Sequence, residues 1–248
     1  MFLCIKCGRK HGRFSVECEC GNLYSVLEVP DFHIEEVKNN SRVRNINDLL
    51  EEELDCEPVP GFEFLGDVSE KYSMIVYGSP GSGKSTFCMM LCNAYMKYRR
   101  SKILYVSGEE SFSTTFRKKL KDWDVKSSLF WASESVKIEH IIEDINEYSP
   151  HLVVLDSHTS LNLSWDEVDR IIKSIPGPTI VILHVTKDNK YKGDTMIAHH
   201  TDINIEIDEE TGNAITRKTR FGEKYTTFSI FGNAVKELCK PDKEIIRI

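Results

Sequence analysis

Residues 78–86 read GSPGSGKST, a glycine-rich stretch from which the fold class is predicted. The apolar run SMIVY at 73–77 precedes it as a candidate buried strand, and residues 87–100 follow it with the apolar spacing of a helix. A strand, a glycine loop and a helix in this order are the context of a P-loop. The glycines let successive backbone N–H groups face an anion, and the helix N-terminus adds the positive end of its dipole.

The loop therefore predicts a site for ATP and Mg²⁺. Lys84 is expected to reach the β- and γ-phosphates, and Ser85 is expected to ligate Mg²⁺. A glycine loop that holds no nucleotide is the alternative, which the flanking strand and helix disfavour. The predicted nucleotide-binding residues of the loop are Gly78, Ser79, Pro80, Gly81, Ser82, Gly83, Lys84, Ser85 and Thr86.

A second apolar segment, KILYVS at 102–107, is followed directly by acidic residues. A carboxylate at the carboxyl end of a strand beside the P-loop strand can orient and deprotonate the attacking water. Glu109 is the first candidate for this catalytic base and Glu110 the second. The alternative is that both begin a helix, where the dipole favours acidic side chains.

Two further apolar segments end in polar side chains suited to the same site. Residues 151–157 read HLVVLDS, a Walker B pattern in which Asp156 holds the water shell of Mg²⁺. PTIVILHV at 178–185 is a buried strand with His184 near its end. That histidine is a candidate sensor of the γ-phosphate, and a core or capped histidine is the competing interpretation.

Alternation of strands and helices, with the P-loop first, predicts a doubly wound α/β sheet with its ligand at the carboxyl ends of the strands. The segments 203–207, 214–218 and 225–231 are expected to append antiparallel strands to it. The predicted fold class is thus an ATPase core with a mainly parallel sheet extended by antiparallel strands.

The N-terminal stretch MFLCIKCGRKHGRFSVECECG at 1–21 contains two close cysteine pairs. Two tight turns that each supply two thiolates suit a structural Zn²⁺, and so short a segment needs metal to supply its folding energy. Unrelated thiols are one alternative, and His11 is an alternative ligand. The predicted zinc ligands are Cys4, Cys7, Cys18 and Cys20.

Composition and charge restrict the compartment and the partners. No apolar run approaches the length of a membrane span, and the N-terminus shows no secretory signal, so we expect a reducing cytoplasm, in a bacterial cell or a phage-infected host. The net charge of −7 argues against a surface coated in positive charge, although a local basic surface is compatible with it. The predicted domains are a zinc-ribbon-like module at 1–30, an acidic linker at 31–60 and the ATPase domain at 61–248.

Taken together, these motifs resemble the RadA/Sms family of bacterial branch-migration ATPases in the RecA superfamily. The cysteine pairs are similar to the family's zinc module, and the loop 78–86 is similar to the family's GDPGIGKST. LYVSGEES at 104–111 is nearly identical to the family's stretch, and LVVLDS at 152–157 and HVTK at 184–187 match the family's Walker B and HVTK segments. KTRFG at 218–222 resembles the family's KNRFG, and HHTD at 199–202 loosely resembles EHMVD. The resemblance covers nearly the whole chain. The family's C-terminal Lon-like domain has no counterpart before Ile248, and Thr219 replaces the family's asparagine.

The resemblance implies a RecA-like core and a homo-oligomeric, hexameric ring with ATP at the subunit interfaces. It implies that Lys218 and Arg220 project toward the neighbour's nucleotide, as an arginine finger does; two surface cations at a strand end are the alternative. It also implies that the loop after HVTK faces a central channel and touches DNA. The predicted DNA contacts there are Lys187, Lys190, Tyr191 and Lys192, which suit phosphate contact and base stacking, although an ordinary charged loop is the alternative.

Three functions remain open at this stage. The first is an ATP-hydrolysing recombination or repair motor on single-stranded or branched DNA. The second is a nucleotide-gated adaptor that recruits a recombinase, helicase or polymerase through the zinc module, with slow hydrolysis as a timer. The third is a replicative helicase related to DnaB, against which LYVSGEES and the cysteine pairs count. Stimulation of ATP hydrolysis by single-stranded DNA separates the first two.

Overall fold

The structure is a computed structural model, and the chain divides into two compact units, Met1–Leu54 and Asp55–Ile248. The boundaries that we predicted at residues 30 and 60 stay predictions. The residues described are 2–4, 6–7, 9–13, 15–21, 26–28, 46–50, 55–123, 125, 127–185 and 195–231.

The first unit contains a small antiparallel sheet. Strand β1 (Phe2–Cys4) lies in the middle and pairs with β2 (Lys10–His11) and β3 (Val26–Glu28). Its buried cluster, among the residues described, joins Val26 to the cysteine thiols Cys4 and Cys18. A cluster of this size cannot stabilise a fold alone, which is consistent with a need for metal. A short helix, α1 (Ile46–Leu50), is also described in this unit.

The second unit is built on an eight-stranded sheet in the order β13-β12-β11-β6-β10-β9-β7-β8. Strands β11, β6, β10, β9, β7 and β8 run parallel, whereas β12 and β13 each run antiparallel to the preceding strand. A separate two-stranded ribbon pairs β4 (Cys56–Glu57) with β5 (Val68–Ser69). A 3₁₀ turn, Glu63–Leu65, lies between these two strands in the chain. The bounds of the large sheet's strands are β6 Ser73–Gly78, β7 Ile103–Ser107, β8 Phe130–Ser133, β9 Leu152–Asp156, β10 Thr179–His184, β11 Ile203–Ile207, β12 Asn213–Lys218 and β13 Thr227–Ser229.

The central strands are continuous apolar runs because both faces of the sheet are covered. Alternate residues of one strand enter different cores: Ile103 and Tyr105 of β7 lie in one cluster, and Leu104 and Val106 lie in the other. The first cluster is covered by α2 (Lys84–Arg99) and α3 (Thr114–Asp122), and the second by the remaining helices, which are α4 (Ile138–Tyr148), α5 (His158–Leu161), α6 (Trp165–Ser174) and α7 (Thr195–His200).

The predicted strands and helices of the core are confirmed in type and order. The apolar spacing of residues 138–148 predicts an amphipathic helix, and α4 has these bounds, with Ile138, Ile141 and Ile145 buried. Helix α6 begins at a capping box in which Glu167 N–H donates to Ser164 Oγ and Ser164 N–H donates to Glu167 Oε2. Among the described residues, no helix has the length and apolar content that crossing a bilayer requires.

One strand differs from expectation. The segment expected as the first antiparallel strand, Ile203–Ile207, pairs in parallel with β6 on its inner side and antiparallel only with β12. The physical reason is the helix α7 that precedes it, because parallel pairing needs a crossover connection and a helix commonly provides it. The P-loop strand therefore lies inside the sheet, between β11 and β10.

Candidate active site

The phosphate-binding loop joins β6 to α2 in the predicted way. Gly81 has φ of 82° and Gly83, at the N-cap of α2, has φ of 103°, both in the region that only glycine adopts without strain. Lys84 Nζ donates to the carbonyl oxygens of Gly78 at 3.1 Å and Ser79 at 2.7 Å. The ammonium is thereby held over the loop, where phosphate oxygens are expected.

Lys84 is a buried cation, with only 5% of the residue exposed. Desolvation lowers the pKa of Lys84, and the carboxylates of Glu109 and Asp156 oppose that shift. The loop therefore presents a partly desolvated positive charge, which interacts more strongly with a phosphate than a solvated one does.

Asp156 ends β9 and is buried, with 5% exposed. Its Oδ2 accepts hydrogen bonds from Ser85 Oγ at 2.9 Å and from Tyr105 Oη at 2.5 Å. Desolvation raises the pKa of Asp156, and these two hydrogen bonds lower it. Its other oxygen, Oδ1, is buried and has no hydrogen-bond partner among the residues described.

These residues fit the Mg²⁺ that ATP hydrolysis uses. Oδ1 of Asp156, a buried oxygen with no donor in the part of the chain that the structure describes, and the hydroxyl of Ser85 are hard oxygen ligands of the kind Mg²⁺ prefers. Ser85 would hold the ion directly and Asp156 through water.

Glu109 and His184 meet at the mouth of the site. Glu109 lies in the turn after β7, and its Oε2 is 3.1 Å from Nε2 of His184, the last residue of β10. The Glu109 side chain is 48% exposed and that of His184 17% exposed. A carboxylate reachable by water and oriented by an imidazole has the placement that a general base requires.

Glu110 is held differently. Its Oε1 accepts from Lys119 Nζ of α3 at 2.8 Å. Helix α3 begins at Thr114, so neither acidic residue lies in its first turn, and the alternative of a helix start is wrong. The ion pair leaves Glu109 as the carboxylate better placed to act on water.

The charged side chains described above line one cavity of about 250 Å³, together with Ser85 and His184. It contains most of the nucleotide-binding residues predicted from the sequence, at the edge formed by the carboxyl ends of β6, β9 and β10. A larger cavity of about 450 Å³ lies near Arg99, His151 and Pro178, where strands begin; α/β sheets bind ligands at the other edge. The smaller cavity is lined by Pro80, Gly81, Gly83, Lys84, Ser85, Thr86, Glu109, Glu110, Lys119, Asp156 and His184.

Lys218 and Arg220 do not join this cavity within one chain. Lys218 ends β12 and lies opposite Asn204 of β11, which in turn lies opposite Ile75 of β6. Ile75 is three residues before Gly78, so Lys218 lies about 10 Å along the strand direction from the start of the phosphate loop. Lys218 Nζ donates to the carbonyl oxygens of Ala198, His199 and Thr201 at the end of α7, and Arg220 lies 3.0 Å from Asp202. Desolvation lowers the pKa of Lys218.

The predicted DNA-binding loop lies outside the described residues. Lys187, Lys190, Tyr191 and Lys192 therefore remain a prediction from the sequence.

The four predicted zinc ligands lie together in the first unit. The Sγ atoms of Cys4, Cys7, Cys18 and Cys20 all lie within 4.8 Å of one another. The Cys4–Cys20 distance is 3.8 Å and the Cys7–Cys18 distance 3.6 Å. A tetrahedral ion with bonds of about 2.3 Å to sulfur needs sulfur atoms about 3.8 Å apart. His11 Nε2 lies 3.3 Å from Cys18 Sγ, beside the four thiols.

Sequence reasoning missed Tyr105 and Lys119 as parts of the site. A tyrosine inside a buried apolar strand was a usable signal, because its hydroxyl must find a partner there. Lys119 had no such signal, since it is one of several basic residues on α3.

The fold and the site together define a P-loop ATPase with a RecA-like sheet. The sequence model of the AAA domain family, AAA_25, matches residues 41–202, and the chain belongs to this family. It is 25% identical to the DNA repair protein RadA of Aquifex aeolicus over 97% of this chain, and 25% identical to that of Brucella abortus over 98%. The resemblance inferred from the motifs is thereby confirmed. The chain spans 60% of the length of these relatives.

Solved structures agree on the fold. The KaiC-like protein of Pyrococcus horikoshii superimposes with a TM-score of 0.53 over 69% of this chain and 90% of its own, at 16% identity. At this identity the likeness concerns the fold alone.

Proposed function

We propose that this chain is an ATP-driven DNA repair or recombination motor that acts on single-stranded or branched DNA. One observation carries the proposal: the phosphate loop, Lys84, Asp156 and Glu109 line one cavity in a chain similar, over nearly its whole length, to RadA. Those relatives are DNA repair proteins by name, and this chain's role on DNA is our hypothesis.

In the proposed reaction the loop amides and Lys84 bind the phosphates, and Glu109 orients a water and takes its proton as the water oxygen bonds to the γ-phosphorus. The bond from that phosphorus to the β–γ bridging oxygen breaks, and ADP leaves. His184 holds the Glu109 carboxylate from the end of β10. Mg²⁺, held by Ser85 and Asp156, supplies charge neutralisation when bound. The proton thus moves to a Glu109 oxygen, and Lys84 stabilises the charge that develops on the phosphate.

Completion of the site by a second subunit is part of the proposal. Lys218 and Arg220 belong to the sheet edge away from their own loop, so a head-to-tail contact would bring them to a neighbour's nucleotide. Heterologous contacts form a ring when the rotation between subunits closes, and a hexamer is the ring we propose.

The remaining elements have supporting roles in this proposal. The cysteine cluster holds a Zn²⁺ ion through Cys4, Cys7, Cys18 and Cys20. The ion is structural and not catalytic, because four thiolates leave no open coordination position. The loop that contains Lys187, Lys190 and Lys192 contacts DNA, and a recombinase, helicase or polymerase are candidate protein partners. The module, linker and ATPase domain at 1–30, 31–60 and 61–248 remain our proposed division.

ATP hydrolysis measured with and without circular single-stranded DNA tests the motor. Stimulation is expected, and it should weaken with salt. For three lysine–phosphate contacts, the single-strand slope of about −0.7 per contact predicts about 20-fold weaker binding per subunit between 50 and 200 mM salt. A variant with Lys187, Lys190 and Lys192 all changed to alanine should lose most of that dependence.

Lys84→Ala is the control for the source of hydrolysis and should abolish it with and without DNA. If the wild-type chain hydrolyses ATP but neither binds DNA nor responds to it, the motor is wrong and the nucleotide-gated adaptor replaces it. If Lys84→Ala hydrolyses ATP at the wild-type rate, the cavity is not the site of hydrolysis.

A further inference from the structure

Tyr105 is a polar group in the middle of an apolar strand. It lies on β7 with 0% of its surface exposed. Its ring packs against Phe116, with centroids 5.6 Å apart, and against Phe130 at 6.0 Å. Such packing would be served equally by phenylalanine, so the hydroxyl needs a separate explanation.

The hydroxyl reaches Asp156 on the adjacent strand. Strands β7 and β9 pair in parallel, with Ser107 opposite Asp156 and Tyr105 opposite Val154. Residues two apart share a face of the sheet, so Tyr105 is the diagonal neighbour of Asp156 on the face covered by α2. Tyr105 Oη donates to Asp156 Oδ2 at 2.5 Å.

The carboxylate is thereby held by one oxygen only. Ser85 Oγ donates to the same Oδ2 at 2.9 Å, and Oδ1 has no partner in the described part of the chain. Two donors on one oxygen fix the rotation of the carboxylate and leave its second oxygen for another ligand. Ser85 is itself a candidate ligand of the metal, whereas Tyr105 is anchored in the core and does not line the cavity.

We propose that Tyr105 is a positioning residue for magnesium, whose hydroxyl holds the Asp156 carboxylate in the orientation that receives the hydrated ion. Outer-sphere partners of metal-binding carboxylates act in this way. The inference rests on the ATPase site and is independent of any action on DNA.

Tyr105→Phe tests the proposal because it removes the hydroxyl and keeps the ring. Fluorescent ATP analogue is bound to the full chain first in EDTA and then during titration with MgCl₂. Binding in EDTA is expected to match the wild type. The Mg²⁺ concentration at half-effect is expected to rise about 10- to 100-fold, the range found for outer-shell partners of metals. In hydrolysis assays, excess Mg²⁺ should restore much of the turnover.

Tyr72→Phe is the matched control. Tyr72 is also a buried tyrosine of the same core cluster, and its Oη shares a 2.9 Å hydrogen bond with Tyr95 Oη, away from the site. It should leave the Mg²⁺ dependence unchanged. The proposal is overturned if Tyr105→Phe has the wild-type Mg²⁺ requirement, or if both variants shift it equally. It is also overturned if Tyr105→Phe loses nucleotide binding in EDTA, since the hydroxyl would then serve the fold.

Discussion

Replacement of Glu109 by glutamine should separate binding of ATP from its hydrolysis. Glutamine keeps the volume of the side chain and an oxygen for the contact with His184, 3.1 Å away, but it cannot accept the proton of water. A positioned general base contributes about 10²- to 10⁴-fold to a rate. At about 1.36 kcal/mol for each tenfold, Glu109→Gln should raise the activation free energy by about 2.7–5.5 kcal/mol.

Glu110→Gln is the comparison that the structure provides. Glu110 pairs with Lys119 at 2.8 Å, and the two side chains are 24% and 32% exposed. An ion pair this accessible to water contributes about 0.2–1 kcal/mol, so its loss should slow hydrolysis by no more than about fivefold. The two variants should therefore differ by at least about 20-fold, the quotient of these two limits.

Single-turnover hydrolysis, with the enzyme in excess of ATP and at a saturating concentration, measures the difference, with binding of a fluorescent ATP analogue as the check on affinity. Glu109→Gln should bind the analogue as the wild type does. If Glu110→Gln is the slower variant, or if Glu109→Gln hydrolyses ATP within fivefold of the wild type, the assignment of the base is refuted.

Two other predictions concern the buried carboxylate and the cysteine cluster. Burial raises the pKa of Asp156 in the folded chain above that of an unfolded aspartate. Above the unfolded pKa, ionisation of the buried carboxyl therefore lowers the free energy of unfolding, and below that pKa it has no such effect. Asp156→Asn should therefore raise the free energy of unfolding at pH 7 without Mg²⁺, with a smaller gain toward pH 4; urea unfolding that shows a loss at pH 7 contradicts this. The purified chain should retain one Zn²⁺. Cys20→Ser should weaken retention of Zn²⁺ during dialysis by more than about tenfold, whereas His11→Ala should retain the ion. Equal loss of Zn²⁺ in both variants would make His11 a ligand.

Residues close together in the sequence allowed many elements of this molecule to be predicted. The loop at 78–86 requires glycine conformations and a following helix, and the apolar runs before it, before Glu109 and before Asp156 are long enough only for buried strands. Helix α4 was readable to the residue because its apolar spacing matches a helix covering one sheet face. The cluster of four thiols was predictable because close cysteine pairs suit a metal.

Contacts between segments far apart in the chain could not be predicted from the sequence. The parallel register of β11 with β6 depends on a helical crossover, and no residue of β11 encodes that direction. The contact of Glu109 with His184 joins residues 75 apart in sequence, and that of Tyr105 with Asp156 joins residues 51 apart. The carbonyl contacts of Lys218 likewise required the position of α7.

The sequence by itself determined the chemistry of this protein: a phosphate loop, candidate carboxylates at strand ends and a set of four thiols, each specified by residues close together in the chain. The tertiary structure alone decided which carboxylate faces water, which is held by a lysine, and which buried hydroxyl orients Asp156. The reason is that local conformation depends on neighbours in sequence, whereas the orientation of a charged side chain depends on donors brought to it by strand order and register.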